Sequence, residues 1–141
     1  YDRIFIPSGG FRSRPYFTPE MFHREEHIPR MQGQDLMKTA VTELSRTVRS
    51  VCETHGVTLD DIDWFLAHQA NDRINGAVRQ ALGVPESKVP SNIERFGNTS
   101  AATIGILLDE LRRDGKVREG QLACMFALGS GLHWGACLIR L

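Results

Sequence analysis

The sequence predicts an α/β layered domain with a mixed sheet, because segments of helical period alternate with short apolar runs of strand length. Three observations carry this. Gln32–His55 repeats apolar residues every three or four positions, at Leu36, Ala40, Leu44, Val48, Val51 and Cys52. Asp61–Ala67 is a short apolar run behind a polar turn, of the kind buried strands make. Gln121–Leu128 and Trp134–Leu141 are two more such runs, parted by a glycine turn at 129–131.

The remaining elements follow in order. Arg3–Ile6 alternates weakly and reads as a short strand. From Pro7 to about Pro29, with Gly9-Gly10, Pro15 and Pro19, the chain lacks periodicity and reads as a long surface loop. Loops beyond about 12–15 residues are uncommon unless functional or laid on a partner. Arg12, Arg14, Arg24 and Arg30 enrich this loop and read as solvated charge. Gly56 ends the helix of 32–55. A second helix is expected over Asp72–Leu82, capped by Asn71 and stopped by Gly83 and Pro85. Its inward residues are Ile74, Ala77, Val78, Ala81 and Leu82, with Arg73 and Arg79 outward. Val89–Ile93 is expected as a weaker strand, and Ser100–Arg113 as a helix burying Ile104, Leu107, Leu108 and Leu111.

Composition narrows the function. The 141 residues are 41% hydrophobic and 24% charged, ordinary for a globular domain. Lys plus Arg equals Asp plus Glu at 17 each, so no global field draws nucleic acid or an anionic membrane. No apolar run approaches the roughly 20 residues that span a bilayer. Cys52, Cys124 and Cys137 lack CxxC or His-rich spacing, which argues against a disulfide framework or zinc and fits a reducing cytoplasm. Cys52 reads as a small core residue; Cys124 and Cys137, within apolar strands, read as packing rather than reacting thiols. The chain opens on Tyr1 rather than Met and reads as a piece of something larger.

Ligands in layered sheets sit at strand ends and adjoining turns. Three polar features fall there: His68 after the run DIDWFLA, Asn98 between Gly97 and a helix, and the glycine turn at 129–131. Each alone has an ordinary structural reading as a bonded histidine, a turn residue or turn chemistry. Together they suggest an electrostatic half-site. A neutral imidazole N–H and a carboxamide N–H can point at one oxygen and stabilise an enolate. No partner nucleophile, phosphate loop or dinucleotide fingerprint accompanies them. His23, His27, His55 and His133 receive no role.

The same residues carry a family likeness. Asp63–Ile74 (DWFLAHQANDRI), Arg95–Ala102 (RFGNTSAA) and Ala127–Ala136 (ALGSGLHWGA) resemble the histidine, asparagine and closing glycine segments of β-ketoacyl-acyl-carrier-protein synthase III. The likeness is dense over 31–141 and thin over the loop-rich 1–30. It implies one half of a thiolase-like α-β-α-β-α layered fold, with a catalytic cysteine in an amino-terminal half not present in this sequence. It further implies an acyltransferase that condenses an acyl-CoA starter with malonyl-acyl carrier protein, inactive as this half alone, with no bound cofactor and usually a homodimer.

By that resemblance His68 and Asn98 are catalytic, and Gln69, Ala70, Asn71, Asp72 and Arg73 meet acyl carrier protein or coenzyme A. Leu128, Gly129, Ser130 and Gly131 form the active-site loop, with a backbone N–H near Ser130 in the oxyanion hole. Leu128 stands where many members carry Phe, which would reshape the starter pocket. Two other readings stay open: an acyltransferase relative in natural-product assembly, and a non-catalytic companion subunit.

Overall fold

The computed structural model describes residues 4–9 and 14–141. Arg3, Gly10 and Arg12, invoked above for the first strand and the loop, lie outside the described residues. The chain divides into two compact units: 1–38 with 129–133, and 39–128 with 134–141.

In the first unit, β1 (Ile4–Phe5) pairs antiparallel with β2 (Arg30–Met31), Ile4 opposite Met31 and Phe5 opposite Arg30. The segment between them, expected as loop throughout, contains a short helix, α1 (Pro19–His23). Thr18 caps it, its hydroxyl oxygen accepting the Met21 N–H at 3.3 Å, and Pro19 occupies the first turn, where its missing N–H is no loss. Phe22 stacks on His27 with ring centroids 4.3 Å apart. The turn Ser130–Leu132 also belongs here, with Gly131 at φ +77°.

The second unit holds the core. Helix α2 (Gly33–Thr54) contributes the buried stripe Ala40, Leu44, Val48 and Cys52 from the part of it in this unit. Cys52 is the small core residue expected of it. The strands β3 (Trp64–Ala67), β4 (Leu122–Gly129) and β5 (His133–Arg140) form one sheet in the order β3-β4-β5. β3 and β4 run parallel, Trp64 opposite Ala123 through Ala67 opposite Phe126. At the far end, the Gly120 N–H donates to Leu141 O at 2.7 Å and the Leu141 N–H to Gln121 O at 2.9 Å. β5 therefore returns antiparallel to β4, and the sheet is mixed, as expected.

Side chains of β3 alternate between two layers. Phe65 and Ala67 pack with α2 and with α3 (Asp72–Leu82), while Leu66 packs with Leu107 and Leu111 of α5 (Thr103–Arg113). A sheet covered on both faces explains why DWFLA reads as a continuous apolar run rather than an alternating one. α3 has the predicted bounds, capped by Asn71 and closed by Gly83 at φ +74°. The Arg49 guanidinium of α2 then satisfies the last carbonyls of α3, reaching Ala81 O at 3.1 Å and Leu82 O at 3.3 Å.

Three expectations change. Ala81, placed inward above, is exposed, and Asn75 takes a buried place on α3. Val89–Ile93 is not a strand. A 3₁₀ turn at Glu86–Lys88 precedes it and α4 (Ile93–Phe96) overlaps its end. Pro90 has no N–H to give a ladder, and the Asn92 N–H goes to a side chain, Gln69 Oε1, at 3.4 Å. Cys137 on β5 is exposed rather than packed.

Candidate active site

His68 is the residue immediately after β3, and the strand pairing continues through it. Its N–H donates to Phe126 O at 2.9 Å, one step beyond the Ala67–Phe126 pair. Its carbonyl accepts the Ala70 N–H at 2.9 Å and the Asn75 carboxamide at 3.3 Å. The imidazole Nδ1 lies 2.6 Å from the Thr103 hydroxyl at the start of α5. Backbone and ring are thus both fixed, with partners drawn from β4, α3 and α5.

The half-buried ring borders a small apolar pocket of about 20 Å³, shared with Ala40, Leu44, Phe126 and Leu128. That is room for one water-sized group. Burial pushes the His68 pKa below the ordinary histidine range, because desolvation disfavours the imidazolium. At neutral pH the ring is neutral, with one N–H and one lone pair.

Asn98 sits in a turn that its neighbours impose. Gly97 adopts φ +64°, ψ −159°, a conformation essentially reserved for glycine, and Ser100 has φ +54°. The Asn98 Oδ1 accepts the Ser100 N–H at 2.9 Å, so the carboxamide is engaged through its oxygen and keeps its N–H donors for another partner. Asn98 is exposed and does not line the pocket beside His68. They are connected instead through Ser100 and Thr103: Asn98 Oδ1 accepts the Ser100 N–H, and the Thr103 hydroxyl, with one proton to give, lies 3.0 Å from Ser100 O and 2.6 Å from His68 Nδ1. Below this turn, Glu110 of α5 receives Arg95 at 2.6 Å and Asn92 at 2.5 Å, anchoring α4 to α5.

The stretch after His68 divides by exposure. Gln69 is only 1% exposed, and its carboxamide is engaged at both its oxygen and its nitrogen. It donates to Ala67 O at 2.9 Å and accepts from the Ser91 hydroxyl at 3.0 Å and from the Asn92 N–H. Gln69 is an internal strut that ties the β3 exit to the 90–92 segment. Ala70 lines the pocket. Asn71, Asp72 and Arg73 are exposed at the start of α3, and Arg73 has no ion-pair partner among the described residues.

Of the loop residues, Leu128 borders the His68 pocket. Gly129, Ser130 and Gly131 belong to the first unit and are exposed. Neither buried cysteine offers a thiolate. Burial foremost, then Cys52 and Cys137, pushes Cys124 up to about 12, and burial raises Cys52 as well. Among the described residues no group of three His, Cys, Asp or Glu side chains is placed to hold a metal.

Sequence reasoning missed Thr103. Its signal was a hydroxyl on an apolar stripe, since Thr103, Leu107 and Leu111 recur every four residues and all three are buried. Asn75 and Asn92, buried amides supporting the same region, escaped notice for a similar reason.

The lowered His68 pKa has a definite sign. Below about 6.5, the ordinary histidine value, the unfolded chain takes up a proton at this position that the folded chain resists. This residue therefore withdraws stability as pH falls through the window from about 6.5 to its own lower pKa, and contributes no pH dependence above it. Titration of the His68 ring by NMR is expected to give a midpoint below that of an exposed histidine. A midpoint at or above the ordinary value contradicts the buried setting.

Comparison with known proteins gives the family and the fold. Residues 52–141 match the family described as 3-oxoacyl-[acyl-carrier-protein (ACP)] synthase III C terminal. A β-ketoacyl-[acyl-carrier-protein] synthase III of Prochlorococcus marinus is 46% identical over 111 residues, covering 79% of this chain and 33% of that protein. Its counterpart in a Synechococcus species is 48% identical over 110 residues, covering 78% of this chain and 33% of that protein. The crystal structure of 3-oxoacyl-[acyl-carrier-protein] synthase III from Aquifex aeolicus superposes with a TM-score of 0.79 at 43% identity, over 82% of this chain and 37% of that one. That from Pseudomonas aeruginosa superposes with a TM-score of 0.83 at 33% identity, over 99% of this chain and 41% of that one. The matched region is thus about a third of the length of these curated relatives. The chain has the thiolase-like α/β fold and belongs to the β-ketoacyl-acyl-carrier-protein synthase III family, matching its C-terminal part.

Proposed function

We propose that this chain forms the carboxy-terminal half of a decarboxylating condensing enzyme, with residues 31–141 as its enolate-stabilising domain and the cysteine nucleophile in an amino-terminal half. The observation that carries the reading is the neutral, half-buried His68 ring, held by the Thr103 hydroxyl three residues along the chain from the Ser100 whose N–H braces Asn98.

The chemistry follows from that pairing. When a malonyl thioester loses carbon dioxide, the breaking C–C bond leaves its electron pair on the thioester as an enolate. Neutral N–H donors from His68 and Asn98 stabilise the developing charge on the thioester oxygen without being consumed. The enolate carbon then attacks the acyl-cysteine carbonyl, the sulfur leaves as thiolate, and a β-ketoacyl thioester results. An acyl-CoA supplies the starter, and no resident cofactor takes part. Neutral donors suit this step, since neither has to give up a proton for the charge to form.

Asn71, Asp72 and Arg73 form the docking edge for acyl carrier protein. The exposed Arg73 at the start of α3 supplies the cation for an acidic carrier surface or for coenzyme A phosphates. Gln69, buried and engaged, supports that edge from beneath. In this reading the enzyme works as a homodimer.

In the intact enzyme, His68→Ala and Asn98→Ala are each expected to lower malonyl decarboxylation by about 10²–10³-fold, as for loss of an oxyanion donor. Acylation of the cysteine by the starter is expected to survive. Condensation at the wild-type rate in both variants rejects the assignment. A coding sequence whose upstream half lacks the cysteine favours the companion-subunit reading instead. Arg73→Glu is expected to raise KM for malonyl-acyl carrier protein more than for a small malonyl thioester. An equal change on both substrates removes the docking role.

A further inference from the structure

We propose that Thr103 is a positioning residue whose hydroxyl donates to His68 Nδ1, fixing the ring as the tautomer that presents Nε2–H to the substrate oxygen. The inference rests on the enolate-stabilising reading of His68 and adds the group that makes the ring a donor rather than an acceptor.

A neutral imidazole carries one proton, and the hydrogen bond at one nitrogen decides which form the other takes. The Thr103 hydroxyl has one proton and two acceptors in reach, His68 Nδ1 at 2.6 Å and Ser100 O at 3.0 Å. If the proton goes to Nδ1, the ring keeps its own proton on Nε2 and can donate to an enolate. If it goes to Ser100 O, Nδ1 must carry the proton, and Nε2 turns a lone pair toward developing negative charge. The second arrangement repels the very species the site is built to hold.

Two observations favour the first. Ser100 O already accepts the Thr103 backbone N–H, so its demand is met without the hydroxyl. The contact with Nδ1 is also the shorter of the two, by 0.4 Å from 3.0 − 2.6. Thr103 itself is 2% exposed, so bulk water does not compete for its hydroxyl. Its backbone is held in the first turn of α5, above Leu107 and Leu111 on the same buried stripe. The hydroxyl is thus set by packing, as a group that positions another must be.

The role differs from simple helix capping. Threonine hydroxyls at helix starts often bond back to a carbonyl three residues earlier, and the 3.0 Å contact with Ser100 O has that form. A purely local bond of that kind would tie helix to turn and leave the imidazole tautomer unaffected. The ring nitrogen at 2.6 Å is what makes the residue part of the site.

The test uses the intact enzyme. Imidazole nitrogen chemical shifts, assigned by the signals lost in His68→Gln, are expected to show the wild-type ring protonated on Nε2 and bare on Nδ1. Thr103→Val, which keeps the shape and removes the hydroxyl, is expected to lower malonyl decarboxylation about tenfold with KM for the malonyl thioester little changed. Thr103→Ser restores most of that loss. A wild-type ring protonated on Nδ1 overturns the proposal, and this readout stands even if the valine variant fails to fold. Full decarboxylation in a folded Thr103→Val, with His68→Ala inactive, overturns the positioning role alone. Full decarboxylation in both overturns the parent reading with it.

Discussion

Four residue pairs of parallel β-structure hold His68, the residue proposed to stabilise the enolate, in place. β3 is short, running only from Trp64 to Ala67, yet it is packed on both faces and meets β4 along its whole length. Phe65 and Ala67 close one layer with α2 and α3, and Leu66 closes the other with α5. The ladder then extends one hydrogen bond further, from the His68 N–H to Phe126 O. A parallel strand covered by helices opens at its carboxyl end, and that end is where the imidazole emerges. The cost of ordering His68 is met largely by apolar packing that would be there without it.

What surrounds the ring is a set of neutral groups. A hydroxyl touches Nδ1, a carboxamide and an amide hold the carbonyl, and apolar side chains line the adjoining pocket. Among the described residues no carboxylate pairs with the imidazole, so nothing opposes the desolvation that keeps it uncharged. Such a setting suits a donor that stabilises charge more than a base that must take up a proton. Charged groups are present nearby in the chain, but they serve as clamps. Glu110 gathers Arg95 and Asn92 beneath the Asn98 turn, and Arg49 closes the end of α3.

Much of this was legible from residue order. α2, β3, β4, β5 and α5 were found to within a few residues because long apolar stripes and short apolar runs differ in period. α3 was placed to the residue, since Asn71 and Gly83 each have a specific task at its ends. Short elements were not legible. α1 has five residues and no buried side chain, so no stripe announces it. Val89–Ile93 has strand-like composition, but Pro90 and the bond from Asn92 to Gln69 commit its backbone elsewhere. His68 and Asn98 were visible as polar residues at element ends, while their linkage through Ser100 and Thr103 depends on a fold in which β3 and α5 become neighbours. Exposure along β5, including Cys137, could not be read from its apolar composition.

The most direct measurement is a crystal structure of the intact enzyme with a malonyl thioester analogue that cannot lose carbon dioxide. His68 Nε2 and Asn98 Nδ2 are both expected within about 2.7–3.1 Å of the one thioester oxygen. An analogue bound productively, with that oxygen facing neither nitrogen or only one of them, would contradict the shared-oxygen site.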